Sequence, residues 1–208
     1  MQARIVPAED PRAFQRALDL LHKLQLVAFP TDTVYGLGAS LESSQAIEGL
    51  YVVKGRDSAK AIAVLLGDPA HIGRVALELS PMAERFAGLF WPGPLTLVVA
   101  RRPDLPDNLS QLPTIGIRMP DHPVALKLLR QAGPLAVTSA NLSGATDTTT
   151  AQEVYKQLGG SIPLILDGGR TPGGQPSTVV DCTGEAPLIL RQGPITLEQL
   201  CKAIDRSF

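Results

Sequence analysis

The sequence predicts an α/β fold: one domain built on a twisted sheet of mixed parallel and antiparallel strands, with helices packed against it. Short apolar runs of strand length alternate with segments whose apolar residues recur at helical spacing. This alternation is typical of α/β sheets, and closely spaced apolar runs late in the chain favour some antiparallel pairing. The 208 residues suit one sizeable core, and no repeat or long linker divides them. We therefore assign residues 1–208 to a single domain.

The first third of the chain alternates helix and strand signals. Asp10 and Pro11 offer an N-cap and a first-turn proline, and apolar residues then recur on one helical face as far as Leu24. Pro30 ends the next apolar run. The predicted elements are a helix from Asp10–Pro11 to near Gln25, a buried strand at 26–29, a loop at 31–38, a helix at 43–53 and a strand at 61–66.

The remainder continues the same alternation. Turn residues, above all Gly and Pro, separate the apolar segments, and residues 168–176 are rich in both, which predicts a loop. The predicted helices are 81–90, 122–131, 151–158 and 196–204, and the predicted strands are 95–100, 114–119, 135–137, 164–166, 178–180 and 188–190.

Composition excludes several classes of protein. The formal net charge of −1 shows no global basic excess, although a basic cleft could still bind RNA. Cys182 and Cys201 form no CxxC pair, and His22, His71 and His122 lack zinc-ligand spacing, so we expect no metal site made by protein side chains. No N-terminal signal segment and no apolar run of membrane-spanning length is present. We expect a cytoplasmic protein without a membrane partner.

Cationic residues cluster beside predicted strands and turns. Lys54, Arg56 and Lys60 lie within seven residues, and Arg118 and Arg191 each end a predicted buried strand. Cations held near a core require anionic partners, because an unpaired buried charge is costly. Loops after strands are the usual place for ligands in open sheets, and a polyphosphate would suit this cluster.

Each of these segments also has a purely structural interpretation. Lys54-Gly55-Arg56 could be a solvated helix end, where cations are favourable. Residues 138–141 (TSAN) could form a turn or a cap, and so could residues 30–33 (PTDT). No nucleophile elbow, Walker loop or dinucleotide-binding glycine fingerprint occurs, so hydrolase and dinucleotide-binding interpretations are excluded.

The joint occurrence of the motifs is far more specific than any one of them. In chain order they are PTDTVYGLG, KGR, WPGPLT, GIRMP, TSANLSG, STVVD and LRQG. This string resembles the YrdC-like L-threonylcarbamoyladenylate synthases over residues 27–193. The resemblance implies a large concave cleft on the twisted sheet, lined by these polar residues.

The resemblance also implies roles for individual positions. The residues that match threonine contacts are Thr33, Arg118, Ser139 and Ser177. The residues that match the nucleotide site are Arg56, Lys60, Thr114, Asn141, Thr149 and Arg191. Lys54 and Arg56 form the family's KxR pattern near the phosphates and are the candidate catalytic residues. Around Thr149, the neighbouring Thr146, Thr148 and Thr150 remain alternatives.

The implied function is nucleotidyl transfer: L-threonine, bicarbonate and ATP with Mg²⁺ form threonylcarbamoyl-AMP and diphosphate. The product would pass to tRNA threonylcarbamoyl-transfer proteins for the N6-threonylcarbamoyladenosine modification of tRNA, and the chain would be the short, single-domain form. Two alternatives stay open, a carbamoyltransferase domain that forms carbamoyl-adenylate and a non-enzymatic module that binds double-stranded RNA or tRNA. A paralogue group that lacks the KxR and SxN pairs is disfavoured, because both pairs are present.

Overall fold

Ten strands and six α-helices form the fold in a computed structural model, which describes residues 2–205. The strands are β1 (Arg4–Pro7), β2 (Val27–Phe29), β3 (Gly36–Ser40), β4 (Ala63–Leu65), β5 (Leu95–Ala100), β6 (Thr114–Arg118), β7 (Leu135–Ser139), β8 (Leu164–Asp167), β9 (Thr178–Asp181) and β10 (Leu188–Arg191). The helices are α1 (Ala13–His22), α2 (Ser44–Lys54), α3 (Pro81–Phe90), α4 (Pro123–Ala132), α5 (Ala151–Leu158) and α6 (Leu197–Asp205). Short 3-10 helices span Pro69–Arg74 and Asp107–Leu109.

All ten strands of the described range join one sheet in the order β1-β8-β2-β3-β7-β4-β6-β5-β9-β10. The pairs β1/β8, β2/β8, β4/β6 and β5/β9 are parallel, and the others are antiparallel. The prediction of a mixed sheet is therefore confirmed, including the late antiparallel pair β9/β10. No described helix is long and apolar enough to cross a bilayer.

Helices cover the two faces of the sheet unequally. On one face, α1 and α4 pack together over Phe29 and Val137, while the alternate residues Ala28 and Ala136 face a second core on the other side. That second core also receives buried side chains of α2, α3, α5 and α6. Because α1 and α4 cover only the half of their face near β2 and β7, the strands β6, β5 and β9 leave a concave surface uncovered there.

Capping side chains set the first residues of three helices. The side chains of Ser43, Ser80 and Thr150 each accept a hydrogen bond from a backbone amide three residues later, at 3.2 Å, and begin α2, α3 and α5. Such local signals can be read directly from sequence. Gly55 ends α2 in the left-handed conformation, with a φ of 57°.

Several boundary predictions were wrong. Helix α1 begins at Ala13, because the Asp10 side chain instead accepts from the Arg12 amide in a turn before the helix. It ends at His22, and Leu24 lies outside it with a φ of 59°. The predicted loop at 31–38 already contains the start of β3, and β1 was not predicted.

Strand β10 was predicted as buried but lies at an edge of the sheet. Leu188 and Leu190 are 60% and 55% exposed. An apolar run of three residues does not reveal whether a strand is central or terminal in the sheet, because that depends on pairing with distant segments.

Candidate functional site

A concave cleft of about 610 Å³ occupies the uncovered half of the sheet face. Strand alternation forms its floor: Thr114, Gly116 and Arg118 of β6 face the cleft, while Ile115 and Ile117 belong to the core behind the sheet, and Ile115 also borders the cleft. Thr96 and Val98 of β5, and Val179 and Asp181 of β9, continue the same surface. The predicted cleft is present.

All four residues predicted for threonine line this cleft, together with three of those predicted for the nucleotide. They are Thr33, Arg118, Ser139 and Ser177 in the first set, and Arg56, Thr114 and Arg191 in the second. The structure therefore brings together segments separated by up to 158 positions in the chain.

Three arginines give the cleft its positive charge. Burial is the main factor that lowers the pKa values of all three, but to different degrees: Arg118 is 5% exposed, Arg56 is half-buried and Arg191 is exposed overall, with part of its guanidinium covered by Ser177. Arg191 is influenced by both Arg56 and Asp147, which places these charges in one neighbourhood. Partly dehydrated cations of this kind favour an anionic ligand.

Lys54 lies behind the cleft wall. It is 2% exposed, and its Nζ donates to the backbone oxygens of Ser139 and Asn141 and to Asn141 Oδ1. Three N–H groups thus meet three oxygens on one short segment. Burial, followed by repulsion from Arg56, lowers the pKa of Lys54 from 10.5 to about 8. The KxR and SxN pairs are in direct contact through this lysine.

Asn141 and Thr149 are occupied by contacts within the protein. Asn141 Nδ2 donates to the backbone oxygens of Leu142 and Ala145, at 3.1 and 2.8 Å, so the side chain closes its own turn. Thr149 Oγ1 donates to Glu153 Oε2 at 3.1 Å and accepts from Arg170 Nη1 at 2.6 Å.

Four predicted residues are therefore not brought to the cleft wall. The described residues that line the cleft do not include Lys54, Lys60, Asn141 or Thr149. Lys60 is exposed at the end of the loop after α2. From the segment around Thr149, it is Asp147 that lines the cleft instead.

Arg118 is held by three partners. Its Nε donates to Gly93 O at 2.9 Å, its Nη1 donates to Thr33 Oγ1 at 3.0 Å, and its Nη2 forms a buried ion pair with Asp32. A guanidinium has five N–H groups, so two remain without a hydrogen bond to described residues. Asp32 Oδ2 is buried and has no hydrogen-bond partner in the described structure.

The Thr33 hydroxyl is oriented by the same network. Thr31 Oγ1 donates to Val34 O at 2.7 Å, so its contact of 3.0 Å with Thr33 Oγ1 must be one in which Thr33 donates. Thr33 Oγ1 also accepts from Arg118. Only a lone pair of Thr33 remains for a ligand, which makes this hydroxyl an acceptor.

Three residues of the site were missed at the level of sequence: Asp32, Thr96 and Asp147. Asp32 and Thr96 lie inside the PTDT and WPGPLT motifs, but a motif does not say which members pair with which. No cluster of three or more His, Cys, Asp or Glu side chains suited to a metal occurs among the described residues. Asp147 and Asp181 line the cleft as separate carboxylates.

Comparison with known proteins places these features in a family. The family model for Sua5, YciO and YrdC, described as telomere recombination, matches residues 19–193. The chain belongs to the Sua5/YciO/YrdC family. The family match includes every segment that lines the cleft, from Thr31 to Arg191.

Individual members of the Sua5/YciO/YrdC family are similar over most of the chain. A Bacillus subtilis protein named threonylcarbamoyl-AMP synthase is 43% identical over 194 residues, which are 92% of this chain and 56% of that protein. A Serratia proteamaculans protein of the same name is 37% identical, over 89% of this chain and 99% of that protein. Pyrococcus abyssi Sua5 in complex with L-threonine superposes with a TM-score of 0.89 at 38% identity, over 92% of this chain and 57% of that one. The chain thus spans little more than half of two relatives and nearly all of the third.

Proposed function

We propose that this chain is an L-threonylcarbamoyladenylate synthase, a nucleotidyltransferase that makes threonylcarbamoyl-AMP and diphosphate from L-threonine, bicarbonate and ATP. One observation carries the proposal: Thr33, Arg118, Ser139 and Ser177 share a single cleft with the cations Arg56 and Arg191. A cleft that joins hydroxyls to partly dehydrated guanidinium groups suits an amino acid beside a polyphosphate. The names of the relatives agree with this assignment.

The reaction needs no protein nucleophile. The amine of threonine adds to CO2 derived from bicarbonate, loses a proton and becomes a carbamate. A carbamate oxygen then attacks the α-phosphorus, and the bond to the bridging oxygen breaks so that its electron pair leaves with diphosphate. The enzyme accelerates this sequence by positioning the reactants and offsetting negative charge.

Arg118 and Thr33 would hold threonine. The two unoccupied N–H groups of Arg118 suit its carboxylate, and the acceptor lone pair of Thr33 suits an ammonium or hydroxyl hydrogen. Asp32 fixes the guanidinium in this orientation. Ser139 and Ser177 complete the polar wall.

Arg56, Arg191 and Thr114 would hold the nucleotide, with the two guanidinium groups beside the phosphates. Mg²⁺ binds ATP mainly through phosphate oxygens and water, with one or two protein carboxylates. Asp147 fits such a role, because it lies on the cleft wall and influences Arg191 electrostatically. Bound Mg²⁺ would share the charge of the leaving diphosphate.

Lys54 would act on the reaction through the Ser139–Asn141 segment that it holds. The product would pass to tRNA threonylcarbamoyl-transfer proteins in the cytoplasm. We also propose that residues 1–208 form a single domain.

The decisive experiment incubates the purified chain with L-threonine, isotopically labelled bicarbonate and Mg-ATP and searches for labelled threonylcarbamoyl-AMP by mass spectrometry. Stoichiometric diphosphate release should accompany the product, and both should fall in an Arg56→Ala variant. Formation of carbamoyl-adenylate from carbamoyl phosphate and ATP, without threonylcarbamoyl-AMP, would instead identify a carbamoyltransferase. Salt-dependent tRNA binding without threonine-dependent ATP turnover would identify a non-enzymatic RNA-binding module.

A further inference from the structure

Ser177 is held between two residues that approach it from different strands. Arg191 donates from Nε and Nη2 to the Ser177 backbone oxygen, at 3.1 and 3.0 Å, and from Nη2 to Ser177 Oγ at 3.2 Å. Thr96 Oγ1 of β5 lies 2.8 Å from Ser177 Oγ. Thr96 and Ser177 are 5% and 3% exposed, yet both line the cleft.

The hydrogens in this group can be counted. A hydroxyl has one hydrogen and two lone pairs, and a guanidinium can only donate. Arg191 therefore occupies one lone pair of Ser177 Oγ. If Thr96 donates to the other lone pair, Ser177 has no acceptor capacity left, and its own hydrogen is free. In that state Ser177 can only donate toward the cleft, which suits a carboxylate oxygen.

The packing of Thr96 fixes the position of its hydroxyl oxygen. Threonine is branched at Cβ, so placing its methyl group also places its hydroxyl. The methyl carbon Cγ2 packs over Gly116 of the neighbouring strand β6, where an added Cβ would lie 3.0 Å away. Gly116 thus leaves room for the methyl group, and the hydroxyl is turned toward Ser177.

We propose that Thr96 is a positioning residue for the threonine carboxylate: its hydroxyl donates to Ser177 Oγ and directs the Ser177 hydrogen toward that carboxylate. This inference rests on the proposed function, since it names a further residue of the same amino-acid site. Thr96 does not contact the ligand itself in this arrangement, and Ser177 and Arg118 supply the donors that do.

Two conservative variants separate the effect of the Thr96 hydroxyl from the effect of the side chain's shape. Thr96→Val replaces the hydroxyl with a methyl group of similar size, and Thr96→Ser keeps the hydroxyl while removing the methyl. Isothermal titration should show L-threonine binding weakened about 5- to 10-fold in Thr96→Val, the range expected for one net hydrogen bond. The affinity of Thr96→Ser for L-threonine should stay within about 3-fold of the wild-type value. The hydrogen bond of the hydroxyl, which serine keeps, contributes more to threonine binding than the packing of the methyl group.

A ligand without the carboxylate supplies the matched control. L-threoninol carries an alcohol in place of the carboxylate, so Thr96→Val should weaken its binding much less than that of L-threonine. Binding of a non-hydrolysable ATP analogue should change less than about 2-fold, because Arg191 keeps its contacts with the Ser177 backbone oxygen.

The possible results distinguish failure of the Thr96 role from failure of the proposed function. If wild-type protein binds L-threonine but Thr96→Val binds it equally well, the positioning role is overturned and the proposed function stands. Equal losses for L-threonine, L-threoninol and the nucleotide analogue would indicate general distortion and would also overturn it. If wild-type protein neither binds L-threonine nor forms threonylcarbamoyl-AMP, the proposed function itself fails.

Discussion

Replacing Lys54 with methionine tests the contact that joins the KxR and SxN pairs. Methionine is similar in length but cannot donate to the Ser139 and Asn141 oxygens that the ammonium holds. The sequence alone predicted a lysine beside the phosphates, whereas the structure places it 2% exposed behind the wall. The variant asks whether Lys54 acts on phosphate directly or through the segment that carries Ser139.

Two opposing terms set the effect on stability. Lowering the pKa of Lys54 from 10.5 to about 8 corresponds to about 3 kcal/mol against the charged form, at about 1.36 kcal/mol per pKa unit. Methionine relieves this cost but leaves three acceptors without their donor, at about 1–3 kcal/mol for each one that stays dry. If all three oxygens stay dry they cost about 3–9 kcal/mol together, so the free energy of unfolding should fall by about 0–6 kcal/mol. Urea denaturation gives the value, and activity is compared under conditions in which the variant is folded.

Activity should respond much more strongly than stability. A shift of the Ser139–Asn141 segment by about 1 Å is enough to cost on the order of 100-fold in rate. We expect Lys54→Met to lower threonine-dependent diphosphate release by about that factor. L-threonine binding measured without nucleotide should also weaken, because Ser139 lies on the moved segment.

The binding measurement separates the two roles. If Lys54 contacts phosphate directly, threonine affinity without nucleotide should equal that of wild type, and affinity for the ATP analogue alone should fall. That pattern would refute the positioning argument. Full activity of Lys54→Met would refute both roles.

The pH dependence of Lys54 gives an independent check. A neutral amine has two N–H groups for three oxygens, so activity should decline as pH rises through about 8. Stability should move the other way: between about pH 8 and 10 the unfolded chain binds the proton that folded Lys54 has lost, so unfolding becomes less favourable. Urea denaturation of the wild-type protein should give a higher free energy of unfolding at pH 9.5 than at pH 7. The Lys54→Met variant should lack this contribution.

Three further predictions concern other parts of the fold. Asp32→Asn should lower the free energy of unfolding by about 3 kcal/mol in urea titrations, because Arg118 loses its buried counter-ion; a loss below about 1 kcal/mol would contradict this. Gly193→Ala should destabilise the protein by more than about 2 kcal/mol, because a Cβ there would overlap backbone atoms at the start of β9, and an unchanged melting temperature would disprove the clash. Burial raises the pKa of Cys182 to about 12, so a thiol reagent at pH 8 should modify only Cys201 in the folded chain. Equal labelling of both cysteines would show that Cys182 is accessible.

The sequence predicted those elements whose signals are local. Helices α2, α3 and α5 begin with side chains that cap amides three residues later, and this pattern is visible without a fold. The short run at 114–119 likewise predicted strand β6. Strand β1 and the edge position of β10 were missed, because they depend on pairing with segments more than a few residues away.

By itself, the sequence determined the α/β class, the order of most elements and, through the ordered motifs, the family. Only the tertiary structure decided which motif residues line the cleft and which support it. Lys54 and Ser139 are 85 positions apart, and Arg118 and Asp32 are 86 apart, so no spacing rule predicts that they meet. A motif specifies the chemistry of a side chain, whereas its partner, burial and pKa depend on which distant strand the fold places beside it.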